Sequence, residues 1–386
     1  MLSIGILTPR STLYPALTFD ILNGLKASLA HSNISNEITL VTENIGFGTD
    51  EAEIYTKAEK MVLDDRIDTV IACCDSRIAS MLQPMFTAAG KLLLVINFGA
   101  NLPEGWQPAP TTVIHSLNFC FHSSLTGKLA AANKTAALLA SYYDAGYNQV
   151  YTIVTNFQKQ GGEILFNHVT HIDTEKFTLE PLKQQLATEN AVESLLCLFS
   201  ADMAALFYRH IQHIQENYSP SIFVSPMMLD ESLAVELKNE VVMKNVQGFF
   251  PWLSTLDNEN NREFIKTYSS TFGKQPTVFA LLGWDTGLLI DSFVKQLPVN
   301  NNNTIAAIKA MYGKPLPSPR GWLKLDEATH HTYGPAWLVS VVDNFEFKLI
   351  ENTIINWDDE WQQFTANNIL SSTETHSGWR NTYLCI

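Results

Sequence analysis

The side chains in this sequence best suited to chemistry are its histidines, its cysteines and a few glycine-bearing turns. His210 and His213 stand three apart, with Glu216 three further on. On a helix that spacing puts all three on one face, where they could ligate a metal. A solvated helix face carries the same pattern more often, and that is the expectation here. His168 and His171 are read the same way, and His330 and His331 as turn residues at a strand end. Gly46-Phe47-Gly48 lacks the third glycine of a dinucleotide fingerprint and follows the second strand, not the first. There is no Walker A pattern, no Gly-x-Ser-x-Gly elbow and no Cys-x-x-Cys pair. With no nucleophile–base pair and no metal cluster, the chain is expected to catalyse nothing and to carry no metal and no cofactor.

A second kind of chemistry, the gripping of a small molecule, needs donors at the carboxyl ends of parallel strands. Four turns have that character. They are Thr8-Pro9-Arg10-Ser11-Thr12-Leu13-Tyr14, Cys74-Asp75-Ser76-Arg77, Asn97-Phe98-Gly99-Ala100-Asn101 and Asn156-Phe157-Gln158-Lys159-Gln160-Gly161-Gly162. Each is also an ordinary turn composition. Their shared position on one sheet edge is what argues for a site.

The elements that must position these turns alternate in type. Strands are expected at LSIGIL (2–7), ITLVT (38–42), DTVIACC (68–74) and KLLLVI (91–96), with amphipathic helices between them. Continuous apolar strands separated by such helices indicate a parallel sheet covered on both faces. The pattern restarts at TVIHS (112–116), followed by a long helix over 121–143. Strands follow at VYTIVT (150–155), SLLCLF (194–199), SIFVS (221–225) and QGFFPW (247–252), then helices over 259–272 and 278–297. The chain closes with WLKLDE, a strand over 337–342, and a polar tail, 371–386, that is expected to be loosely held.

Bulk composition sets the outer limits. At 386 residues the chain is too long for one ordinary core and suits two lobes. A net charge of -14 excludes tracking a nucleic-acid backbone, which needs clustered Lys and Arg. No run of eighteen apolar residues is present, so no segment is expected to span a membrane. The first strand begins directly after Met1, with no leader pattern, and the cysteines form an odd set: Cys73, Cys74, Cys120, Cys197 and Cys385. As it stands the sequence points to the cytoplasm; removal of a leader would make it extracytoplasmic.

ILTPRSTLYPALTFDILNGLKASLA, with its Pro-containing loop and Asn23-Gly24 pair, resembles the start of the type I periplasmic binding proteins, the branched-chain amino acid receptors of ABC transporters. VIACCDSRIASMLQPMFTAAGKLLLVINFGANLP is similar to the family's next block in length and layout. FALLGWDTGLLIDSF and GWLKLDEATHHTYGPAWLVSV continue the order to the far end. The resemblance implies an α/β fold of two lobes with parallel sheets flanked by helices and a three-crossing hinge. Lobe one would hold 1–115 and 251–319; lobe two and the crossing strands would hold 116–250 and 320–370. The crossings would fall near 115–117, 249–252 and 322–327.

Carried over by position, the resemblance places ligand contacts at Tyr14, Asp75, Ser76, Gly99, Ala100 and Asn101, with Gln160 facing them and Asp202 and Met227 completing the wall; an apolar or aromatic ligand body would then lie near Phe98, Phe157 and Met227. Met227 stands where a relative would bring a carboxylate to an ammonium, so leucine, isoleucine and valine are expected to bind weakly. Asp75 either meets a cationic or donor group of the ligand or merely caps its helix. Gly99 is expected to admit a ligand close to the backbone, so Gly99→Trp would abolish binding and leave the melting temperature almost unchanged. The implied function is non-catalytic capture of a small polar or amphipathic molecule by lobe closure, as the binding component of an ABC importer with a permease as partner. The alternative is a cytoplasmic ligand-sensing regulator of the same fold, acting on a protein partner.

Overall fold

The computed structural model describes residues 2–103, 105–106, 109–188, 192–350, 356–368, 379 and 381–385. The first lobe alternates strand and helix in the expected way. It contains β1 (Leu2–Thr8), α1 (Leu17–His31), β2 (Ile38–Asn44), α2 (Glu51–Leu63), β3 (Thr69–Cys73), α3 (Ser76–Ala89), β4 (Leu92–Asn97) and β5 (Thr112–Ser116). Its five strands are all parallel, in the order β2-β1-β3-β4-β5. β3 and β5 are buried along their whole length, as a sheet covered on both faces requires.

The second lobe departs from expectation at its start. α4 (Phe119–Ala130) stops early and β6 (Thr135–Ala140) follows, so no helix runs over 121–143. Residues 150–155 form no strand; they lie inside α5 (Asn148–Lys159). The reason is tertiary. Thr-Ala-Ala-Leu-Leu-Ala is a good helix former, but it is buried inside the sheet between β7 (Glu163–Val169) and β8 (Ser194–Leu198). Tyr-Thr-Ile-Val is rich in β-branched residues, yet Gln149, Ile153 and Phe157 are buried at a helical spacing of four. The lobe continues with α6 (Glu180–Leu186), α7 (Ala201–Gln215), β9 (Ser221–Val224), α8 (Glu231–Leu237) and β10 (Val246–Phe250).

The chain then returns to the first lobe as α9 (Glu259–Phe272), α10 (Val278–Val299) and α11 (Thr304–Lys309). α10 packs against α1 through facing glycines; a Cβ on Gly24 would stand 1.9 Å from the Ala280 carbonyl oxygen. Next come β11 (Leu316–Ser318), β12 (Gly321–Leu325) and β13 (Thr332–Tyr333), a small antiparallel sheet. A bridge from His331 to Ile114 attaches it to β5. Only at β14 (Trp337–Val342) does the chain enter the second sheet, so 322–327 lie in the hinge sheet and the third passage ends at 337. β15 (Glu346–Leu349) and α12 (Trp357–Asn367) complete the described elements. The second sheet reads β15-β14-β10-β9-β8-β6-β7, and β14 alone runs against the other strands, antiparallel to both β10 and β15. Among the described residues no helix is long and apolar enough to cross a membrane.

Candidate functional site

Each sheet reverses its strand order once, and those switch points are where an open α/β sheet leaves a crevice. In the first sheet the reversal lies between β1 and β3, in the second between β6 and β8. The turns that follow those four strands, with the turn after β4 beside them, define two facing edges.

On the lobe-one edge, Asp75 caps α3. Its carboxylate accepts from the Arg77 amide (3.1 Å) and from Asn101 Nδ2 (2.9 Å), and Arg77 Nε stands 3.4 Å away. A carboxylate so fully partnered does not call for a ligand cation, so the capping role holds. Gly99 has φ of +68°, and its N–H donates to Asn97 Oδ1 (2.9 Å). A Cβ there would stand 2.4 Å from Ser116 Oγ and 2.8 Å from Asn118 Cα. The glycine is therefore required by packing against the first hinge crossing, and the expectation that Gly99→Trp spares stability is corrected. Asp75, Ser76, Phe98, Gly99, Ala100 and Asn101 do line one cavity, together with His331, Trp361 and Tyr383. The amides of Ala100 and Asn101 meet no acceptor among the described residues.

On the lobe-two edge the turn after β6 is Ser141-Tyr142-Tyr143-Asp144. Asp144 is buried and accepts from Ser141 Oγ (2.5 Å), Ser200 Oγ (3.1 Å) and the Tyr383 hydroxyl. No cation is among these partners. Burial pushes its carboxyl up to about 6, against the lowering effect of the three hydroxyls. Tyr143 and Tyr147 stand beside it, with hydroxyls 2.9 Å apart.

The two edges touch. The Ala201 N–H, at the start of α7, donates to the Tyr14 hydroxyl (2.9 Å). Asn148 at the start of α5 donates its N–H to Asn101 Oδ1 (3.3 Å) and accepts from the Leu102 N–H (3.0 Å). Burial holds the Tyr14 phenol well above its ordinary range, so it stays neutral. The lobes are thus closed on each other. The hinge behind them is pinned by Arg320, which reaches Asp285 (3.0 Å) and the Ser116 carbonyl (3.3 Å), all three buried.

Several expected contacts lie elsewhere. Phe157 is fully buried in the core between α5 and the second sheet. Gln160 ends α5 and leads into β7, at the end of the lobe away from the strand-end turns. Both were placed in the cleft on the premise that 150–155 is a strand, and both assignments fall with it. Met227 follows β9 but is fully buried. Asp202 is exposed in the first turn of α7. The residues that sequence reading passed over are Ser141, Tyr143, Asp144, Tyr147 and Ser200. Their signal was present: Ser-Tyr-Tyr-Asp-Ala-Gly-Tyr directly follows an apolar run of strand length.

The tail, expected to be loose, is also corrected where it is described. Asn381, Thr382, Tyr383, Leu384 and Cys385 are all buried, and Tyr383 stacks on Tyr143. The rest of 371–386 except Trp379 lies outside the described residues. Among the described residues no group of three or more His, Cys, Asp or Glu is placed to hold a metal. His213 pairs with Glu216 at the surface, and His210 lies edge-on to Phe177. His330 and His331 are buried rather than simple turn residues, and His331 lines the cavity.

Comparison with solved structures agrees with this architecture. A solute-binding protein of an ABC transporter from Rhodopseudomonas palustris BisB5, solved with 3,4-dihydroxybenzoic acid, is 18% identical. The match covers 90% of this chain and 95% of that one, with a TM-score of 0.70. An ABC transporter substrate-binding protein from Sphaerobacter thermophilus is 17% identical over 90% and 96%, with a TM-score of 0.76. A leucine-binding protein from Thermotoga maritima is 15% identical over 93% and 100%, with a TM-score of 0.69. No curated protein sequence matches the chain. Residues 2–346 match the periplasmic binding protein family, and with its two lobes, parallel sheets and strand-end cleft the chain is a solute-binding protein of that family.

Proposed function

We propose that the space between the two strand-end edges is the solute site and that its solute is a small amphipathic molecule with an aromatic body. The chain would deliver it to an ABC permease and perform no chemistry on it. One observation carries this reading. Tyr14 with Ala201, and Asn101 with Asn148, join opposite lobes at the edges where both sheets reverse. A molecule between those edges touches both lobes and favours the closed state by its differential affinity. The lobe-two edge offers rings (Tyr143, Tyr147, Phe119) around a hydroxyl-rich carboxylate, Asp144, which suits a ring bearing a hydroxyl. The lobe-one edge offers the 100–101 amides to an anion. Solved relatives with this fold hold 3,4-dihydroxybenzoic acid and 4-hydroxybenzoate, which have that combination.

The test is thermal unfolding with benzoate, 4-hydroxybenzoate, 3,4-dihydroxybenzoate and leucine. Saturation at 100 times Kd stabilises by about 2.7 kcal/mol, enough to raise the midpoint by several degrees. A rise with a hydroxylated benzoate and none with leucine is expected. A rise with leucine alone would refute the aromatic reading.

A further inference from the structure

Trp379 and residues 381–385 lie between the two strand-end edges and make contacts with both. Toward lobe one, Arg77 Nη2 donates to the Trp379 carbonyl and Ser11 Oγ to the Leu384 carbonyl. Toward lobe two, Trp379 Nε1 donates to the Tyr143 carbonyl (2.7 Å) and the Leu384 N–H to the Tyr143 hydroxyl (3.1 Å). The Tyr147 hydroxyl donates to Asn381 Oδ1 (3.1 Å). The Tyr383 ring lies 5.9 Å from that of Tyr143, nearly parallel, with Tyr147 edge-on at 4.7 Å and Phe119 edge-on at 6.2 Å. Its hydroxyl ends on Asp144.

We propose that this segment is a tethered occupant of the solute cleft, which clamps the lobes shut and which a phenol-bearing solute must displace. The proposal rests on the cleft being the solute site, as read above. Three observations favour an evolved but releasable seat over a piece of permanent core. First, Gly146 leaves the room that Trp379 fills: a Cβ there would stand 1.7 Å from Trp379 Nε1. Second, the occupant is imperfectly satisfied, since Asn381 Nδ2 and Thr382 Oγ1 are buried without a partner among the described residues. Third, Leu384 is held at φ of +69°, a conformation a leucine adopts only under constraint. The unpaired groups and the strain lower the barrier to exchanging the segment for a better ligand. The chemical class of that ligand follows from what Tyr383 uses: a flat ring between tyrosines and a hydroxyl donor aimed at a carboxylate.

The consequence is competition. A solute meets a site that is free only for the fraction of time the segment is out, and its apparent Kd is raised by that fraction. The experiment uses the full chain, its Tyr383→Ala and Tyr383→Phe variants, p-cresol as the phenol probe and toluene as its hydroxyl-free control. Calorimetry should find p-cresol bound at least about tenfold more tightly by Tyr383→Ala than by the unaltered chain, with Tyr383→Phe between them and toluene weak throughout. Hydrogen exchange should show the 381–385 amides protected in the unaltered chain and released by p-cresol, with the core strands unchanged. A capped peptide of sequence Trp-Arg-Asn-Thr-Tyr-Leu-Cys should bind Tyr383→Ala and compete with p-cresol there. Should Tyr383→Ala not fold, the exchange data and Tyr383→Phe decide alone. Equal binding of p-cresol by all three chains, or protection of 381–385 that p-cresol leaves untouched at saturation, would overturn the proposal and leave the solute site standing. Peptide binding with no small molecule bound by any chain would instead overturn the solute site.

Discussion

On the lobe-one edge the buried carboxylate is Asp75; on the lobe-two edge it is Asp144. Asp75 is held by its own surroundings: the amide it caps, the Arg77 guanidinium two residues on, and Asn101 of the neighbouring turn. Asp144 has no cation among its partners and is satisfied by hydroxyls, one of which belongs to Tyr383 far along the chain. A carboxylate tied up by a cap and an arginine is a structural part. One satisfied by a hydroxyl from a distant segment of the chain is, on the reading proposed above, a recognition element. On the proposed reading the lobe-one edge supplies backbone and shape, and the lobe-two edge supplies the group that chooses.

The same contrast holds for two glycines, and it predicts the largest effect. Gly99→Ala puts a methyl into Ser116 and Asn118 at a φ of +68°, so neither backbone nor neighbour can yield. Strain and overlap together should remove about 2–5 kcal/mol, read by urea unfolding. Gly146→Ala meets first the Trp379 ring, which on the proposal above is free to leave. Its loss of stability should be well under that of Gly99→Ala, with Trp379 fluorescence shifted to the red. Equal losses would mean that Trp379 is as fixed as the first crossing.

The next effect concerns pH. The Asp144 carboxyl is pushed up to about 6 by burial, from an ordinary value near 3.8. Between those values the native state holds a proton that the unfolded chain has lost. Stability from this group is therefore complete below about 4 and is lost as pH rises through about 6. The full swing is about 3 kcal/mol. Asp144→Asn should flatten that part of the profile, while Asp285, also pushed up to about 6, keeps its share in both chains. Urea unfolding at pH 4, 5, 6 and 7 gives the comparison. Parallel profiles for the two chains would show that Asp144 stays ionised throughout.

Asp75→Ala should act differently. It removes a helix cap and one partner of Asn101, a loss of about 1 kcal/mol. It should leave phenol binding within about threefold, less than 1 kcal/mol by the conversion of affinity to free energy. A larger loss of binding would promote Asp75 to a ligand contact and erase the contrast between the edges.

That contrast also explains what was legible in the sequence. The lobe-one turns were found because Leu-Leu-Leu-Val-Ile and its neighbours are unbroken apolar strands ending in Asn, Gly and Asp, and local composition and burial agree there. The lobe-two edge was displaced by one element. Alanine and leucine at 136–140 read locally as helix, valine, isoleucine and threonine at 150–155 read as strand, and burial of the first between two strands and of the second against the sheet reversed both. The helical spacing of Gln149, Ile153 and Phe157 was the available corrective. The seat of Tyr383 was not legible at all. An apolar Tyr-Leu-Cys in a polar tail says that something is to be buried, and only the tertiary arrangement says where.

The smallest effect tests closure itself. The Tyr14 hydroxyl accepts the Ala201 N–H across the cleft, and Ala201 is held at φ of +47° where that bond forms. Tyr14→Phe keeps the ring and its edge contact with Phe279, whose centroid is 5.2 Å away. It removes only the acceptor for one amide. A neutral hydrogen bond of this kind contributes about 0.5–1.5 kcal/mol. The loss should fall on the closed state alone, because the bond joins opposite lobes and is absent when they part. Global unfolding should lose no more than that same range, while the Ala201 amide exchanges about 2–10 times faster, the factor that free-energy range implies. Exchange at Asn148 should rise with it, since the Asn101–Asn148 contact opens in the same motion. Faster exchange at Ala201 with Asn148 unchanged would show local fraying at the start of α7, and the two contacts would no longer count as one closure.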